Sequence, residues 1–71
     1  MKTNILKAKM IEREIPTDLA LKILKDNNVI MSKTAWYRKV NGTSEFDRTE
    51  LQAIKQMLDL SPEEFEEIFF E

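Results

Sequence analysis

Apolar side chains recur along this chain at three- and four-residue intervals in five separate stretches, the period of helices with one face turned inward. Ile5, Leu6, Met10 and Ile11 make the first stripe, on a helix capped by Thr3 or Asn4 and running to about Arg13. Pro16 biases Ile15 toward extended backbone and ends that helix. A second helix runs from about Thr17 to Lys25, with Leu19, Ala20, Ile23 and Leu24 on one side. Asp26-Asn27-Asn28 is a turn signal, because Asn tolerates left-handed backbone and Asp bonds locally. Val29-Ile30-Met31 is a short apolar link expected to plug the core. Ser32 caps a third helix over residues 33–41, in which Trp36 and Val40 share the buried face. Gly42, the one glycine, follows where a helix end favours positive φ. Asp47 and Glu50 form a capping box, with Phe46 and Leu51 as its hydrophobic staple, and open a fourth helix carrying Ile54, Met57 and Leu58. Ser61-Pro62-Glu63-Glu64 repeats the box before a short fifth helix with Phe65, Ile68 and Phe69. The expected fold is all-α: a compact five-helix domain spanning residues 1–71.

Composition narrows this further. At 71 residues the chain suits one small domain, which buries only about 60% of its unfolded surface and so has a thin core. With no cysteine it is not a disulfide scaffold, and a reducing, cytoplasmic setting is expected. No apolar run approaches the roughly 20 residues of a membrane span, and the charged start does not read as a signal peptide, so no membrane partner is expected. Without His or Cys, a serine nucleophile has only Lys to activate it, and no glycine-rich phosphate loop exists, so catalysis is not expected. No cofactor or metal is implied, since the glutamates at 63, 64, 66 and 67 lack the Asp/Asn-rich loop of a calcium site and read as a solvated face.

The charge is unevenly divided. Residues 1–48 hold ten Lys/Arg against six Asp/Glu, whereas residues 49–71 hold one Lys against seven acids. A polyanion can bind the first part and is repelled by the last.

The second and third helices, joined by a turn, read as a central helix-turn-helix. In that motif the third helix lies in a major groove and offers its first turns to base edges. Lys33 and Arg38 can donate to guanine O6 and N7, Thr34 can bond a base or a phosphate, and Ala35 can touch a thymine methyl. Asn41, Thr43 and Ser44 offer side chains or amides to phosphates, Arg48 offers another cation, and the helix start at Thr17 offers amides. Tyr37 either covers the core edge or bonds a phosphate.

The segment SKTAWYRKVNGTSEFDRTELQAI resembles the recognition helix and following loop of the phage repressor and Cro type of helix-turn-helix domain. Upstream, KAKMIEREIPTDLAL resembles the family's first helix and the start of its second, and LSPEEFEEIFF its fifth in small phage-encoded members. One departure is clear: Ala20 and Ser32 stand twelve apart with no glycine between, wider than the family's turn. The resemblance implies a five-helix domain, binding to double-stranded operator DNA and transcriptional control in a lysis–lysogeny switch. A small footprint implies a homodimer on two half-sites about one helical turn apart, with Phe65, Ile68, Phe69 and Phe70 as the candidate protein interface. The family also includes modulators that complex a partner phage repressor with little DNA binding of their own, and the acidic second half suits that alternative.

Overall fold

The computed structural model describes residues 1–70 and holds α1 (Thr3–Glu12), α2 (Thr17–Asp26), α3 (Lys33–Val40), α4 (Arg48–Met57) and α5 (Pro62–Phe69), with no strand among the described residues. Three starts follow the capping chemistry expected of the sequence. Ser32 Oγ accepts from the Ala35 amide at 3.1 Å, and complete capping boxes join Asp47 to Glu50 and Ser61 to Glu64. The first helix departs from expectation. Its N-cap is Lys2, with no side-chain cap, rather than Thr3 or Asn4. The Lys2 amide instead donates to the Ile68 carbonyl at 2.7 Å, so the start of the chain is fixed by its distant end.

Four of the helices end in one way. The residue two past the last helical position takes positive φ: Glu14 (56°), Asn28 (65°), Gly42 (84°) and Asp59 (50°). The amide after each donates to the carbonyl five residues back, Ile15 to Met10, Val29 to Leu24, Thr43 to Arg38 and Leu60 to Lys55, all within 3.0 Å. This is the Schellman closure, and it turns the next side chain back across the helix end. Val29 and Leu60 are buried as a result, and Ile15 packs against the core. Ile30, expected beside Val29 in the core, is 83% exposed, while Val29 is buried and Met31 packs against the core. Left-handed backbone costs a residue with a Cβ roughly 1–2 kcal/mol, so Glu14→Gly is expected to raise stability. After the unfolded-state entropy of glycine the net gain is about 0.5–1 kcal/mol, or a melting temperature higher by about 3–6 °C by calorimetry.

The core draws on every helix: Leu6, Leu24, Trp36, Ile54, Leu58 and Ile68 are fully enclosed. The most extensive helix contact is between α2 and α4, and each of these helices buries an alanine, Ala20 and Ala53. An edge-to-face aromatic series runs from Trp36 to Phe46 (5.9 Å between ring centres) and on to Phe69 (6.1 Å), linking α3 to α5. Of the four residues expected at a protein interface, Ile68 is therefore corrected to core, and Phe65 and Phe69 pack half-buried against it. Only Phe70 stands exposed, at 66%.

Polar ties close the outside. Arg13 Nε donates to the Leu58 carbonyl at 3.0 Å, satisfying the end of α4. Lys9 pairs with Glu64 at 2.5 Å, joining α1 to α5. The hydrogen bond from Lys9, followed by that of the Ser61 amide, holds the Glu64 carboxyl at about 2, below its ordinary 4.5. A carboxyl depressed in the folded state stabilises the fold fully above pH 4.5, and that stability is lost as pH falls from 4.5 through 2. Acid titration of the melting temperature is expected to show this loss, and Glu64→Gln to flatten the curve across the same window.

Candidate nucleic-acid interface

Two walls of α3 are sharply divided by burial. Trp36 and Val40 are enclosed, with Ala35 and Lys39 half-buried beside them. At about 100° per residue, Lys33, Tyr37, Asn41, Thr34 and Arg38 fall in that order across an outward arc of about 140°. All five are exposed. Lys33 and Arg38 thus stand at the two edges of one open face, with a hydroxyl, an amide and a phenol between them. Ala35, expected to touch a thymine methyl, lies on the inward wall.

Specific bonds set the arc. Lys7 Nζ of α1 donates to Asn41 Oδ1 at 2.7 Å, so the Asn41 side chain meets a second cation. Thr17, Tyr37 and Asn41 line one open groove of about 680 Å³ between α1 and α3. That brings the start of α2 beside α3. Pro16 is the N-cap of α2 and supplies no side-chain cap, which leaves first-turn amides available to an anion.

The segment after α3 differs from expectation in one respect. The amides of Asn41, Thr43 and Ser44 are all used, donating to Tyr37 (3.0 Å) and to Arg38 (2.8 and 3.2 Å) carbonyls as the helix closes. Only their side chains remain for a phosphate. Ser44 is half-buried in a separate hollow of about 380 Å³ that it shares with Phe46 and Phe70, while Thr43 and Arg48 are exposed.

Two partnerships were not visible in the sequence. Lys39 Nζ donates to both carboxylate oxygens of Glu50, at 2.6 and 2.7 Å, and the same carboxylate accepts from the Asp47 amide at 2.8 Å. The pair fastens the inner wall of α3 to the start of α4. Lys33 pairs with Asp18 of α2 at 3.2 Å, and the Asp18 hydrogen bond raises its ammonium pKa above the ordinary value. Each pair joins two elements, Lys39 on α3 to Glu50 on α4 and Lys33 on α3 to Asp18 on α2. Their separations in sequence carry no local signal.

Comparison with family models, with curated proteins and with solved structures finds no match to this chain. No helix among the described residues is long and apolar enough to cross a membrane.

Proposed function

We propose that this protein is a phage-type transcriptional regulator that binds operator DNA by laying the outward arc of α3 in the major groove. The observation that carries the reading is the division of α3: Trp36 and Val40 are enclosed, while Lys33, Thr34, Arg38 and Asn41 are exposed together. A short helix so divided, backed by a second helix, has the shape and donor chemistry that major-groove reading requires. Thr17, Thr43 and Arg48 are exposed or half-exposed near its ends and supply phosphate contacts in this reading. Control of a lysis–lysogeny switch, and a homodimer on paired half-sites, belong to the same proposal.

The test is fluorescence anisotropy on labelled duplexes over a salt series. Binding weakens steeply with salt, with a log–log slope of about −0.9 for each phosphate neutralised. Arg38→Ala is expected to lower affinity for the preferred site by about 1–3 kcal/mol if it meets a base. Its melting temperature stays near that of the parent, because Arg38 is exposed. No binding to any duplex at low salt overturns the reading.

A second reading rests on α5. Glu63, Glu66 and Glu67 are exposed there beside the exposed Phe70 ring, a surface suited to a basic face on a partner phage repressor. In that case a repressor complex survives Lys33→Ala with Arg38→Ala, and is lost on Phe70→Ala with Glu67→Lys.

A further inference from the structure

Resting on the DNA-binding reading above, we propose that Asp18 and Lys33 read a G·C base pair as one unit, Lys33 donating to guanine O6 and N7 and Asp18 accepting from cytosine N4. The pair joins the first turn of α2 to the first residue of α3, with 3.2 Å between Lys33 Nζ and Asp18 Oδ1. Both side chains are open to solvent, 56% for Lys33 and 84% for Asp18. An ion pair so exposed contributes little to folding. On a face that meets phosphates, a carboxylate also lowers general affinity for the duplex. Beside the reading helix it presents acceptor oxygens that a base amino group can meet.

The major-groove edge of a G·C pair has the matching order. N7 and O6 of guanine are adjacent acceptors, and the N4 amino group of cytosine, a donor, comes next. An ammonium beside a carboxylate meets that order directly. An A·T pair interposes the N6 donor between the N7 and O4 acceptors and ends in a methyl group. There, an ammonium that spans two acceptors also faces a donor, and a carboxylate past O4 meets the methyl. Asp18 lies in the first turn of its helix, where the dipole favours the ionised form, and an ionised carboxylate only accepts.

The experiment is selection from a pool of random duplexes at low salt, with the full chain, with Asp18→Ala and with Asp26→Ala as a control acid at the other end of α2. The parent and the control enrich a G·C pair, in one orientation, at one position of the recovered motif. Asp18→Ala loses at least about tenfold of the preference at that position and keeps the rest of the motif. Its general affinity rises or is unchanged, and its melting temperature matches the parent. If the parent selects a motif and Asp18→Ala selects the same one, or if the position sensitive to Asp18 holds A·T, the inference falls while the DNA-binding reading stands. If Asp18→Ala gains affinity equally for every sequence, Asp18 only repels phosphates, and the inference falls in the same way. If the parent binds no duplex, both fall.

Discussion

Trp36→Ala is expected to lower the free energy of unfolding by about 3–5 kcal/mol, around half of what the domain has. At roughly 0.1 kcal/mol per residue, a chain of 71 residues has about 7 kcal/mol in all. Trp36 is 1% exposed and the largest enclosed side chain. Its removal leaves a cavity at the meeting of α3 with the Phe46 ring, and through Phe46 loosens the contact with Phe69 on α5. Urea denaturation followed by far-ultraviolet circular dichroism measures the loss. Trp36→Phe, which keeps an aromatic ring facing Phe46, is expected to lose much less. An unchanged midpoint for the alanine variant would contradict the inward placement of this wall, and with it the outward placement of Lys33 and Arg38.

The second large effect is at Glu50, the one buried charged residue among the described residues. Glu50→Ala removes the carboxylate that satisfies both Lys39 and the Asp47 amide. It leaves Lys39 part-buried without its partner, a loss of about 3 kcal/mol for a pair of this kind. Lys39→Met with Glu50→Met is expected to recover much of that, since an apolar pair of similar volume avoids the stranded charge. A double-mutant cycle by denaturation separates the two outcomes: strong coupling between the positions supports the fastening of α3 to α4, and additive losses contradict it.

The helix pattern was legible because capping residues mark starts chemically. Ser32, Asp47 with Glu50, and Ser61 with Glu64 do in the structure what their order along the chain implies. The helix ends were less legible. A glycine announces a left-handed residue, as Gly42 does, but Glu14 and Asp59 take the same backbone with no such mark. They do so because the following Ile15 and Leu60 are drawn toward the core, a tertiary demand that overrides local preference. The same limit explains the fifth helix: its apolar residues are expected at a protein interface, yet Ile68 is enclosed and Phe65 and Phe69 cover it. On the candidate interface the exposed residues followed from the helical period. The partners of Lys33 and Lys39 did not, since each lies on another element.

Trp36 is the only indole in the protein, and it faces inward from the same helix whose outer wall carries Lys33 and Arg38. Its emission is therefore a built-in optical gauge of how α3 is seated. A shielded indole fluoresces at shorter wavelength than a hydrated one, so a label-free red shift reports release of this helix from the body of the domain. The emission stays unshifted for ligands that engage only its outer wall.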